Sequence, residues 1–203
     1  MTREIVLDIE TTGLFTDEGH RILEVTAVEM AGRKPTGIEL HVMVNPERDI
    51  PAEVSKIHGI TNDKVADKPF FAQIAKELRD FIGDSPIIIT CRTGANGKPN
   101  YTLDIAFMNM EMEKAGLPPF KDEQWINVRR WSEAMFGNDK ASLDKVLDRY
   151  KIDRSERDAN GHGSTLDARL LAEVYPKLLN DYMKFSEKQK PFNSNSKPTS
   201  PKP

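Results

Sequence analysis

The chain carries Asp8 and Glu10 two residues apart, directly after the apolar run Ile5, Val6, Leu7 and just before Thr11, Thr12 and Gly13. On a strand, side chains two apart share a face, so the two carboxylates can hold one cation between them. The same pair also fits a strand that ends in a solvated acidic turn, and only further ligands separate the two readings. Asp104 opens a segment containing Ile105, Phe107, Met108 and Met112, where a carboxylate is either a ligand or a favourable charge at a helix N-terminus. His162 stands between Gly161 and Gly163, and Asp167 follows among Leu166, Leu170, Leu171 and Val174. An imidazole with a pKa of about 6.5 suits proton transfer near neutral pH, and a glycine-rich loop is equally a plain surface position for one.

The elements that must position these groups follow from the apolar periodicity. Residues 4–9, 22–30 and 38–44 are β-rich runs separated by glycine-containing turns, and their short spacers predict an antiparallel meander. From Pro69 the period changes: Phe70, Ile74, Leu78, Phe81 and Ile82 fall at helical spacing and stop at Gly83, ahead of a strand over 86–90. A helix over 103–115 ends at Gly116 and the Pro118, Pro119 pair, and 125–128 reads as a short strand. Short helices follow over 129–136 and 143–150, the second capped by Ser142, and a last helix over 165–183 should be kinked or divided by Pro176. Strands first in a meander and then alternating with helices predict an α/β fold, a mixed five-stranded sheet flanked by helices.

With 203 residues the chain has the length of one domain, here 1–185, followed by a tail over 186–203 whose Lys, Pro, Ser and Asn content predicts disorder. The formal charge of −3 argues against a protein that coats nucleic acid through bulk positive potential, but not against an enzyme with an acidic, cation-loaded site. No apolar run approaches the roughly 18 residues of a membrane span. The N-terminus lacks a signal pattern and Cys91 is the lone cysteine, so a cytoplasmic protein without an internal disulfide is expected.

Taken together, Asp8, Glu10, Asp104, His162 and Asp167 stand in an order and in local contexts that resemble the three motifs of the DEDDh family of 3′–5′ exonucleases. The resemblance covers roughly residues 3–180. It includes the run from Ile57 through His58, Gly59 and Ile60 to Thr61, the run from Leu166 to Tyr175, and the Ser142, Leu143, Asp144 segment ahead of Arg149, Tyr150 and Ile152. Within the family the chain is most similar to the proofreading subunits of bacterial DNA polymerase III.

The resemblance implies a ribonuclease H-like fold and hydrolysis of 3′-terminal phosphodiesters to nucleoside 5′-monophosphates. It implies two divalent cations, Mg²⁺ or Mn²⁺, held by Asp8, Glu10, Asp104 and Asp167, with His162 as general base; an all-carboxylate donor set suits magnesium better than zinc. Asp8, Glu10, Thr11, Thr12, Gly13, Leu14, Glu53, His58 and Asp167 would contact the terminal nucleotide. Gly13 would allow close backbone approach. Taken from spacing alone, Glu53 is also a favourable acid at the start of a short helix, and His58 a residue before a glycine turn. The implied partners are DNA 3′ ends, single-stranded or frayed, and the alpha subunit of DNA polymerase III. Gln189, Lys190, Pro191 and Phe192 faintly resemble a peptide that would meet a sliding clamp, but the stretch reads better as a solvated Lys/Pro-rich end. An RNA-trimming exonuclease and a catalytically silent binding module share the same residue pattern.

Two segments depart from the family. About ten residues are inserted after the strand Ile87, Ile88, Ile89, so that Pro99 stands where the family has His and Leu103 where it has Phe. This basic, glycine-rich stretch over 91–99 reads as a loop that either reaches the substrate or is a surface excursion. Ala159, Asn160 and Gly161 lengthen the loop that bears His162.

Overall fold

The computed structural model describes residues 2–95, 98–161 and 163–189. In chain order the elements are β1 (Arg3–Thr11), β2 (Ile22–Ala31), β3 (Lys34–Met43), α1 (Ala52–His58), α2 (Asn62–Val65), α3 (Phe71–Ile82) and β4 (Ile87–Ile89). They continue with β5 (Thr93–Ala95), β6 (Lys98–Thr102), α4 (Leu103–Lys114), β7 (Trp125–Asn127), α5 (Arg129–Phe136), α6 (Leu143–Tyr150), α7 (Ser155–Asn160) and α8 (Ser164–Gln189). The strands β3-β2-β1-β4-β7 form one five-stranded sheet. β1, β2 and β3 pair antiparallel as the predicted meander, and β4 and β7 add in parallel, so the mixed sheet expected from the sequence is present.

Side-chain parity in β1 decides which layer meets which face. Ile5, Leu7 and Ile9 pack with Phe71 and Leu78 of α3 and Phe107 and Met108 of α4. Val6 packs on the other side with Ala168, Leu171 and Tyr175 of α8. Asp8 and Glu10 share the parity of Val6 and therefore belong to the α8 face. The same logic explains α3: Phe71, Ile74, Ala75, Leu78 and Ile82 form one buried stripe, and Gly83 at φ +59° ends the helix with its N–H on the Arg79 carbonyl at 2.8 Å.

The sequence reading differs from the structure in three places. The insertion over 91–99 is not a plain loop, because β5 and β6 pair antiparallel as a separate ribbon that leads directly into α4. The last helix is neither divided at Pro176 nor finished at 183: α8 runs continuously to Gln189, which makes residues 186–189 of the expected tail helical. Val174, Tyr175 and Leu178, on both sides of the proline, are buried in the core and hold the helix despite the missing N–H. Residues 190–203 of the tail lie outside the described residues. The short helices α2 and α7 carry too little apolar periodicity to be read from sequence. Among the described residues no helix is long and apolar enough to cross a membrane.

Candidate active site

β1 presents Asp8 and Glu10 opposite Thr26 and Glu24 of β2. Those two partners pin the start of α8. Thr26 Oγ1 lies 2.7 Å from Ser164 Oγ and 3.1 Å from Thr165 Oγ1, and the Glu24 carboxylate accepts the Ser164 N–H at 3.0 Å. Asp167, in the first turn of α8, is thereby held over the face that carries Asp8 and Glu10. Asp104 enters from the other layer, buried in the first turn of α4. That helix is tied to the start of β2 by Arg21, whose Nε and Nη2 donate to the buried Glu111 carboxylate at 2.5 and 2.9 Å.

Asp8 and Glu10 lie within Coulomb range of each other, of Asp104 and of Asp167. Burial, followed by repulsion from Asp104, Glu10, Asp167 and Glu24, holds the Asp8 carboxyl well above the usual range. Glu10 is pushed up to about 8, by burial first and then by Asp167, Glu24 and Asp104, with Arg157 opposing. Burial raises Asp104 to about 7 against a hydrogen bond from Cys91. Buried carboxylates that repel one another and outnumber their cations have the chemistry of a divalent-cation site with oxygen donors.

Part of the balancing charge comes from Arg157 of α7, which the sequence reading did not single out. Its Nη2 donates to Asp167 Oδ2 at 3.0 Å, its Nε to Asp167 Oδ1, and its Nη1 to Asp144 Oδ1. Among the described residues no three His, Cys, Asp or Glu side chains yet surround one point closely enough to hold an ion. With Asp167 turned onto Arg157, the fit to a cation rests on charge and donor type. Glu24 was missed as well. Glu24 acts across 140 positions of chain and Arg157 from a short helix without an apolar face, and neither stands in a motif or a periodic stripe that could have flagged it.

His162 lies outside the described residues. Its neighbours Gly161 and Gly163 join α7 to α8, and a Cβ built at Gly161 would sit 3.5 Å from the Ile57 carbonyl, so this loop runs beside the end of α1. At that end His58 is buried, its Nδ1 accepting the Ile60 N–H at 3.0 Å. The proton of the neutral ring must then be on Nε2, which is buried and lacks a hydrogen-bond partner. Burial lowers the His58 pKa, with Glu24 and the Thr11 backbone opposing, which places the ring against the loop that follows β1. Glu53 is exposed in the first turn of α1.

That loop is internally braced. Thr11 Oγ1 donates to the Gly13 carbonyl at 2.6 Å, and the buried Thr12 hydroxyl accepts the Arg21 N–H at 3.0 Å and lies 3.0 Å from His20 Nδ1. Gly13 does permit a close approach, but by the chain itself: a Cβ there would fall 2.3 to 2.5 Å from the His20 ring. Leu14 projects outward with 62% of its surface exposed.

A family model described as exonuclease matches residues 5–175. The chain belongs to this exonuclease family. More particularly, it is similar to the DNA polymerase III subunit epsilon of Rickettsia felis, with 40% identity over 179 residues that cover 87% of this chain and 73% of that protein. The subunit epsilon of Escherichia coli K12 is 38% identical over 184 residues, covering 86% of this chain and 70% of its own length. Two solved structures share the fold. The nuclease domain of 3′hExo, a DEDDh family member bound to rAMP, superposes with a TM-score of 0.66 at 20% identity, covering 88% of this chain and 92% of that one. Escherichia coli exonuclease I in complex with a dT13 oligonucleotide superposes with a TM-score of 0.71 at 13% identity, covering 93% of this chain and 43% of that one.

Proposed function

We propose that this chain is the proofreading nuclease of a bacterial DNA polymerase III, hydrolysing the 3′-terminal phosphodiester of DNA and releasing nucleoside 5′-monophosphates. The observation that carries the reading is the approach of Asp8, Glu10, Asp104 and Asp167 from three separate elements, with burial raising Asp8, Glu10 and Asp104 and the neighbouring acids adding to the rise at Asp8 and Glu10. These four would hold two divalent cations, Mg²⁺ or Mn²⁺. Such ions supply charge stabilisation at the reacting phosphate and make water a better nucleophile. His162 takes the proton of the attacking water as general base, on a loop flanked by glycines. Thr11, Thr12, Gly13, Leu14, Glu53 and His58 seat the terminal nucleotide, with the unsatisfied Nε2–H of His58 as a donor awaiting an acceptor and the exposed Leu14 as an apolar contact for a base.

The epsilon relatives support a working partnership with the polymerase alpha subunit on DNA 3′ ends, in the cytoplasm. In this reading residues 1–185 are the nuclease domain, the last helix runs on to Gln189, and the stretch from Gln189 to Phe192 is a candidate clamp contact.

Purified protein should shorten single-stranded DNA from the 3′ end in magnesium, releasing nucleoside 5′-monophosphates. Absence of release, with cation binding confirmed by calorimetry, would overturn the proposal. His162→Ala should keep cation binding and slow turnover by about 10²-fold or more. Faster turnover of a matched RNA oligonucleotide would transfer the assignment to an exoribonuclease, and absence of divalent sites would make the chain a silent binding module.

A further inference from the structure

A cleft of about 570 Å³ opens next to the acidic site, in the size range of roughly 300–1,000 Å³ typical of small-ligand sites. Tyr101 and Thr102 of β6 line one side, Trp125 and Asn127 of β7 and Arg130 of α5 the other, and Asp122 is the one acid in the lining. The inserted ribbon thus builds a wall of this cleft, and two observations join the wall to the active site. Thr102 is the N-cap of α4, two residues ahead of Asp104. The Tyr101 hydroxyl donates to the Leu14 carbonyl at 2.9 Å and its ring lies 5.5 Å from that of Phe15, so Tyr101 supports the β1 loop from behind while facing the cleft.

We propose that this cleft is a second nucleotide subsite, which receives the part of the substrate strand lying 5′ to the nucleotide being removed. The inference rests on the nuclease reading above. A strand whose 3′ end sits beside Leu14 must leave the site, and the cleft is lined by Tyr101, whose hydroxyl donates to the Leu14 carbonyl. Its chemistry fits single-stranded nucleic acid: an aromatic ring for stacking, amide and hydroxyl groups, and an exposed guanidinium for a phosphate. Arg130 spans the cleft from α5 towards the ribbon, with its Nε 3.4 Å from Thr93 Oγ1 of β5. In this arrangement Arg130 binds the phosphate, and Tyr101 links occupation of the cleft to the position of Leu14.

The test is fluorescence anisotropy with a labelled ten-residue oligothymidylate, in magnesium and in an Asp8→Asn background so that the strand is not consumed. Arg130→Ala should weaken binding on the order of tenfold and reduce the slope of log affinity against log salt by about 0.7, the value for one phosphate on a single strand. Arg130→Lys should recover most of the salt slope, and Lys76→Ala on the exposed face of α3 should change neither quantity. A nucleoside 5′-monophosphate, which carries nothing 5′ to the terminal nucleotide, should bind Arg130→Ala as it binds the unsubstituted background. Unchanged affinity and slope in Arg130→Ala would overturn the subsite, as would equal losses for the oligonucleotide and the mononucleotide. Because the readout is binding, these outcomes are independent of whether the unsubstituted chain hydrolyses DNA.

Discussion

Replacing Arg157 tests how the free protein tolerates its acidic site. The guanidinium is 7% exposed and bonds both oxygens of Asp167, itself 9% exposed, while also reaching the half-buried Asp144. Removing one member of a buried ion pair strands the other charge, at a cost of about 3–5 kcal/mol. The lower end applies to Arg157→Met, because Asp144 retains solvent and the Met side chain fills much of the vacated volume. For a domain of this size about 3 kcal/mol corresponds to a fall in Tm of about 6–12 °C.

Arg154→Met is the matched control. It lies nearby and pairs closely with Asp148 and Asp158, both at least half exposed, and at 3.7 Å with Asp144, so its loss should lower the Tm far less than the loss of Arg157. The assay is thermal unfolding of both variants in chelator and again in saturating manganese. The deficit of Arg157→Met should narrow in manganese, because a cation bound by the four acids replaces the missing positive charge and stabilises the folded state by mass action. Equal Tm losses for the two variants in chelator would refute the argument, and a deficit indifferent to manganese would refute its link to the metal site.

Three other outcomes follow from the same electrostatics and packing. Asp8→Asn should abolish nuclease turnover yet raise the Tm of the metal-free protein, since it removes a carboxyl whose ionisation burial and the neighbouring Asp104, Glu10 and Asp167 oppose; a lower Tm in differential scanning calorimetry would contradict this. Metal-free stability should fall as pH rises. Glu10 and Asp104 titrate at about 8 and about 7 when folded, against ordinary values of 4.5 and 3.8, so between roughly pH 4 and pH 8 the folded state binds more protons than the unfolded chain. Each such proton contributes up to about 1.4 kcal/mol per pH unit, and urea unfolding in chelator at pH 6 and pH 8 should register the loss. Glu111→Ala should cost about 1.5–3 kcal/mol, because Arg21 loses its buried partner and keeps only the half-exposed Glu47, and should lower turnover by loosening α4 beneath Asp104, whereas Lys76→Ala should change stability by under about 1 kcal/mol.

Much of the scaffold was readable because its signals are local. Ile5, Leu7 and Ile9 alternate with Val6, Asp8 and Glu10, and that alternation alone assigns the acids to one face of β1. The stripe through Ile74, Leu78 and Ile82, and the Ser142 hydroxyl that accepts the Lys145 N–H at 3.4 Å, are equally local, and the structure contains both, with Phe71 buried where the spacing selected Phe70, which is the exposed N-cap. The ribbon over 93–102 was misread as a loop. Gly94, Gly97 and Pro99 dominate its local signal, whereas its pairing is accompanied by contacts to a distant segment, such as Tyr101 on Leu14. α7 was invisible because its six residues carry no apolar face. The continuity of α8 through Pro176 was likewise decided by burial against the sheet and not by the local cost of proline.

By itself, then, the sequence determined the types and order of the chemical groups, and the periodicities that set Asp8 and Glu10 on a strand and Asp104 and Asp167 in the first turns of two helices. Only the tertiary structure decided how those groups interact. It brings Glu24 to the backbone N–H of Ser164 across 140 positions of chain, and it turns Arg157 onto Asp167. It also buries the acids deeply enough to raise their pKa values. The physical reason is that hydrogen-bond periodicity is written along the chain, whereas desolvation and Coulomb interaction depend on distance in space and on the water that folding removes.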